Sequence, residues 1–275
     1  MQWENLTAAE FKKAVHQTDV CVIAMGVMEK HGDHLPLGTD FLNGHKLACL
    51  AAEKAPAVVW PPFYFGQIYE AQCFPGTITL KPALLLELLQ GVFDEIGRNG
   101  FHKIILYNAH GGNNHLLPFL AQCSLAEAKP YSLYYLPPVF LTADRQKQWA
   151  AICETQVHEH ACECETSVSL ANHPELVHMD RVPKLPANAL QRLKTLRPGF
   201  TGIRWYSDYP EHYAGDARPA NAAKGQRLRS LLVDSLAEYI AAVKNDQVAP
   251  ALEREFFQRV QAVAPRKRSA RRRAK

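Results

Sequence analysis

The segment VCVIAMGVMEKHGDHLPLGTD, residues 20–40, decides the fold. Its first six residues, Val20–Met25, form a continuous apolar run, rich in β-branched side chains and of the length of a buried strand. The polar string EKHGDHLPLGTD at 29–40 begins where that strand ends. In open α/β sheets this carboxyl edge is where ligands bind. In extended backbone Glu29 and His31 project to the same side and Lys30 to the other, so the pair can share one metal ion. The turn signal Pro36-Leu37-Gly38 then leads into Thr39-Asp40 ahead of a helical pattern. That sets the Asp40 carboxylate at a helix N-terminus, where it can bridge two cations. Taken alone, a Glu-x-His pair fits a polar surface loop with a capping aspartate as readily as a metal site.

Elements alternate outward from this segment. Upstream, Thr7-Ala8-Ala9-Glu10 has the form of a capping box opening a short helix to about Val15. Downstream, residues 41–54 carry apolar side chains at helical spacing, and 57–60 read as a second strand stopped by Pro61-Pro62. A long loop at 63–80 precedes the helix Pro82–Arg98, which Asn99-Gly100 closes. The strand KIILY (103–107), a helix to about 128, the strand SLYYL (132–136), a helix near 143–154 and a final long helix at 219–244 follow. This alternation predicts a single α/β domain with a mostly parallel central sheet flanked by helices on both faces. The expected division is a domain at 1–250, a helical extension at 251–265 and a basic, disordered tail at 266–275.

The net charge of +4 is misleading as a clue to nucleic acid. The tail RKRSARRRAK holds seven basic residues and no acid, leaving 24 Lys and Arg against 27 Asp and Glu in the body. Nucleic acid is therefore not an expected partner. Seven scattered cysteines do not make a disulfide framework. The N-terminus lacks a signal-peptide pattern and no apolar run has the length of a membrane span, which points to a cytoplasmic protein.

Two more constellations bear on chemistry. NAHGGNN (108–114) follows the KIILY strand and puts His110 at the same sheet edge as Glu29 and His31. By itself such a glycine-rich turn could equally cradle a phosphate or only turn the chain. HEHACECETS (158–167) offers His158, His160, Cys162, Cys164 and three glutamates, but alternation at every second position lacks the CxxC spacing of a structural zinc site. Together the three strings resemble the creatininase family, metal-dependent amidohydrolases whose members read ExHGxHLPLxTD, NGHGGN and HAGExETS at these places. PPFYFG with FPGTITL, and GDARPANAAKG at 215–225, resemble further family motifs, so the likeness runs from about residue 3 to 245. Ala109 and Cys162 stand where the family has glycine.

The resemblance implies metal ligation by Glu29, His31, Asp40, His110 and Glu165, with His160 as the catalytic imidazole. It implies two divalent ions (zinc, manganese or iron) sharing Asp40, Glu29 and His110 on one and His31 and Glu165 on the other. A water or hydroxide held between them would attack a non-peptide C–N bond in an amide, formamide or cyclic amide. His160 would carry the proton to the leaving nitrogen. Creatininases read NGHYEN at the second motif, and that glutamate assists creatinine opening; Gly112 takes its place here, which argues against creatinine as substrate. Tyr64, Tyr69, Gly111 and Gly112 are candidate substrate-binding residues. A small-molecule amide partner and a homo-oligomer, often a hexamer in the family, are expected. The alternatives are a creatininase-like peptidase trimming a small peptide and a non-catalytic metal-containing binding protein.

Overall fold

The computed structural model describes residues 1–263 other than 197, so the basic tail at 266–275 and the last residues of the expected extension lie outside the described residues. Four strands, β1 (Val20–Met25), β2 (Val58–Val59), β3 (Lys103–Asn108) and β4 (Ser132–Leu136), form a parallel sheet in the order β2-β1-β3-β4. β1 and β3 pair along their whole length, from Val20 opposite Lys103 to Met25 opposite Asn108. The chain leaves β1 for β2 on one side and returns to β3 on the other. The strand order therefore reverses at β1, and a crevice opens beyond the carboxyl ends of β1 and β3.

The alternation of β1 side chains sorts the helices into two layers. Val20, Val22 and Ala24 pack against α2 (Thr39–Lys54) and α8 (Ala222–Asn245) through Leu47, Ala48, Leu236 and Ile240. Cys21, Ile23 and Met25 pack on the other face against Leu85, Leu89 and Phe93 of α3 (Pro82–Arg98) and Leu117 of α4 (Leu116–Cys123). Both faces of the strand are buried, which is why its sequence is apolar without alternation. α1 (Ala8–Thr18) starts at the expected capping box, with the Glu10 N–H donated to Thr7 and the Thr7 N–H to Glu10.

Several boundaries differ from expectation for local reasons. The helix expected up to about residue 128 is broken into a 3-10 turn at Gly111–Asn114, α4, and a second 3-10 turn at Ser124–Ala126. α5 (Ala143–Ile152) ends two residues short. α8 begins at Ala222 and not 219, because the Asn221 side chain accepts the Lys224 N–H and caps it. The last helix, α9, already starts at Val248 and runs to Val263. Between α5 and α8 the strands β5 (His158–His160) and β6 (Ala214–Gly215), with the helices α6 (Glu163–Asn172) and α7 (Arg204–Asp208), form a second layer of structure over the crevice.

Gly26, just after β1, fixes how closely α2 approaches the strand. A Cβ there would sit 2.3 Å from the Phe41 amide nitrogen and 2.7 Å from the Asp40 carbonyl carbon. Gly26→Ala should therefore cost about 1–3 kcal/mol in denaturant unfolding. Gly91→Ala, on the open side of α3 where a Cβ would meet nothing within 4 Å, should cost nothing. Equal stability of the two variants would contradict this packing.

Candidate metal centre

Three segments deliver side chains to the crevice. The loop after β1 is closed by the Glu29 N–H donating to the Leu37 carbonyl (3.0 Å), and it buries Glu29 and His31 together while Lys30 turns out over the Phe74 ring. Asp40 lies in the first turn of α2, 5% exposed. His110 follows β3, and α6 presents Glu165 from its first turn. His34 ties two of these segments together: its Nε2 donates to Thr166 Oγ1 (2.9 Å), whose hydroxyl reaches the Ala161 carbonyl. Burial pushes the His34 pKa down to about 4, so the ring is neutral.

The tautomers follow from the acceptors. His31 Nδ1 meets the Glu29 carbonyl at 3.2 Å and His110 Nε2 meets the Gln67 carbonyl at 2.9 Å. A carbonyl only accepts, so these nitrogens carry the hydrogens. The lone pair of His31 Nε2 is then aimed at Asp40 Oδ1 (2.9 Å) and Glu165 Oε1 (3.5 Å). That of His110 Nδ1 is aimed at Glu29 Oε1 (2.8 Å) and Asp40 Oδ2 (3.0 Å). Glu29 Oε1 and Asp40 Oδ2 are buried without a hydrogen bond. Lone pairs facing carboxylate oxygens at such distances repel unless positive charge lies between them. Oxygen and imidazole donors about 3 Å apart are what a divalent ion with bonds near 2 Å gathers, so these residues fit a metal.

The charge balance says the same. Burial alone would lower the His31 pKa, but Asp40 and Glu165 outweigh it and hold it well above its usual value. Glu29 and Asp40 do so for His110. Burial would raise the Glu165 carboxyl, yet His31 brings it down to about 2, and His110 and His160 hold Glu29 well below the carboxylate range. His160 is different: burial and the neighbouring His31 lower its pKa. Its Nε2 donates to the Lys30 carbonyl (2.8 Å) and its ring lies 4.2 Å from that of His31.

A scan against family models matches the creatinine amidohydrolase (creatininase) family over residues 4–240. The chain belongs to the creatininase family. It is 27% identical to 3-dehydro-scyllo-inosose hydrolase of Thermotoga maritima, over 86% of this chain and 82% of that one. It is 30% identical to the mycofactocin precursor peptide peptidase of Mycolicibacterium smegmatis, over 82% and 86%. Among solved structures, a creatininase variant of zinc-zinc type superposes with a TM-score of 0.76 at 23% identity, covering 89% of this chain and 98% of that one, which shows the fold. The protein is thus a creatininase-family, metal-dependent amidohydrolase with the single α/β domain of that family.

Within this creatininase-family frame all five expected ligands and His160 converge. The four expected substrate-binding residues differ in their surroundings. Tyr64 lies against Phe41 and is 37% exposed, and Tyr69 donates its hydroxyl to the Leu80 carbonyl (2.9 Å). Gly112 stands behind the ligand: a Cβ there would come within 2.5 Å of His110 Nε2 and the Gln67 carbonyl, so the glycine admits the contact that fixes the His110 tautomer. Gly111 is exposed with open space about it. Cys162 and Cys164 pack with Ile152, Val168 and Leu228, away from any ligand role. Glu163 is fully buried and accepts from the Glu154 and Thr155 N–H groups and from Lys224. His212 is the residue that the sequence did not announce: its Nε2 reaches Glu29 Oε2, and it groups with Glu29 and His160.

The raised His31 and His110 values predict an unusual pH response of the metal-stripped protein. Unfolded imidazoles titrate near 6.5. The stability gained by protonating these two in the folded state is complete below about 6.5 and is lost as pH climbs through their raised folded values. The melting temperature of the stripped protein should fall from pH 6.5 to 9, while the zinc-loaded protein, in which cation replaces proton, should not follow. A stripped protein that is more stable at pH 9 would contradict the assignment.

Proposed function

We propose that this protein hydrolyses a non-peptide C–N bond of a small molecule, an amide, formamide or cyclic amide, with two divalent ions that share Asp40. The observation that carries the proposal is the direction of the two Asp40 oxygens, Oδ1 toward His31 Nε2 and Oδ2 toward His110 Nδ1. Glu29, His110 and Asp40 Oδ2 would hold one ion, and His31, Glu165 and Asp40 Oδ1 the other. Two dications offset three carboxylates and leave the site net positive. Creatininase has been solved in zinc-zinc and manganese forms, which supports zinc or manganese here; the ligand chemistry also suits iron. Such ions supply Lewis acidity toward a carbonyl and lower the pKa of water.

The chain's own residues supply positioning and the proton path. Burial and His31 keep His160 neutral near pH 7, and its Nε2–H is committed to the Lys30 carbonyl. Nδ1 is then the atom that takes a proton from the attacking water and passes it to the leaving nitrogen. A cavity of about 200 Å³ adjoins Asp40 and Glu165 and is walled by Tyr107, Ala109, Pro138 and Trp149. The relatives act on chemically different molecules, and Gly112, where creatininases carry glutamate, disfavours creatinine.

A screen over small amides, formamides, lactams and short peptides with the zinc- and manganese-loaded protein would identify the substrate. On that substrate His160→Asn should lower kcat by about 10²–10⁴ with metal content unchanged. Loss of the metal in this variant, or unchanged kcat, would overturn the role given to His160. Hydrolysis confined to peptides would overturn the substrate class.

A further inference from the structure

We infer that His212 is a positioning residue for Glu29: an imidazole, locked by Trp205 as a hydrogen-bond donor, that decides which Glu29 oxygen faces the metal. The inference rests on the metal-dependent reading above and extends it to a residue outside the expected ligand set. His212 lies in the turn between α7 and β6 and is 2% exposed. Its ligating atom lies within 4.8 Å of those of Glu29 and His160, a grouping that on distance alone would admit it as a ligand.

The hydrogen bonds exclude that. The indole Nε1–H of Trp205 points at His212 Nδ1 (3.1 Å). An indole nitrogen only donates, so Nδ1 is the acceptor and the ring's hydrogen sits on Nε2. Nε2–H is donated in turn to Glu29 Oε2 at 2.5 Å. Neither nitrogen has a lone pair left for an ion. With Oε2 occupied, Oε1 is the oxygen presented to His110 Nδ1, and it is the one that lacks a hydrogen bond. Glu165 is held the same way from the other side, its Oε2 accepting the Ala161 N–H (2.5 Å) while Oε1 faces His31. Each glutamate thus has one oxygen fastened and one offered, but Glu29 depends on a side chain where Glu165 uses backbone.

The backbone at His212 is uncommon for a side chain of this size. Its φ is +55°, in the left-handed region that glycine fills without cost and histidine does not.

The test uses the full-length protein stripped of metal, with zinc alone as the probe, its affinity read by chelator competition and the fold by the melting temperature of the stripped protein. His212→Gly should weaken zinc binding 10–100-fold, the usual effect of losing a group that orients a ligand, and lower the melting temperature because it empties a buried position; His212→Phe, which keeps a ring there and offers no donor, should weaken zinc binding to the same degree. His212→Gln, which restores an N–H donor, should recover affinity to within tenfold of wild type. Unchanged zinc affinity in His212→Gly or His212→Phe would overturn the inference, as would failure of His212→Gln to recover affinity. Failure of the wild type itself to bind zinc would overturn the metal-dependent reading as well, so the two failures are distinct.

Discussion

The buried carboxylate of Asp40, set between the lone pairs of two imidazoles, is the constraint on which the rest of this structure depends. The one hydrogen of each neutral ring is committed to a backbone carbonyl, so only an added proton or a metal ion in its place puts positive charge between His31 or His110 and Asp40. Glu29 and Glu165 add negative charge on either flank. Burying such a set is unfavourable without compensating cations, so the protein is built to be completed by them.

The fold supplies the positions. Full-length pairing of β1 with β3 brings the chain segments that carry Glu29, His31 and His110 to neighbouring ends of one edge. Gly26 lets the first turn of α2 abut that edge, which places Asp40 between them. α6 closes the group from outside the sheet, and His34 fastens it to the loop that carries His31. Ligands thus come from a strand end, a helix start and a helix outside the sheet, and only the folded chain assembles them.

The sheet and one side of the site were legible in the sequence, and the reasons are specific. VCVIAM and KIILY are apolar throughout because both faces of β1 and β3 are buried, and the polar strings that follow fall at the ligand-binding edge. The helix Pro82–Arg98 has apolar residues at helical spacing and the Asn99-Gly100 stop, and its bounds agree. Glu165 and His160 came only through likeness to a family, since HEHACECETS by its own spacing suggests no geometry. β5 and β6 are three and two residues long and pair across more than fifty positions, too short to show any periodicity. His212 was invisible for the same reason: its partners, Glu29 and Trp205, are set by tertiary structure, and a lone histidine before Tyr213 carries no pattern. Tyr64 and Tyr69 were candidates only by type, and their observed contacts are with neighbouring ring and backbone.

The central claim is that Asp40 is shared by two ions, and anomalous diffraction from crystals of the zinc-loaded protein, collected on both sides of the zinc edge, tests it most directly. The account predicts two peaks roughly 3.5–4 Å apart, one beside Glu29 and His110 and the other beside His31 and Glu165, with an Asp40 oxygen on each. A single peak, or two peaks of which one has no contact with Asp40, would contradict it.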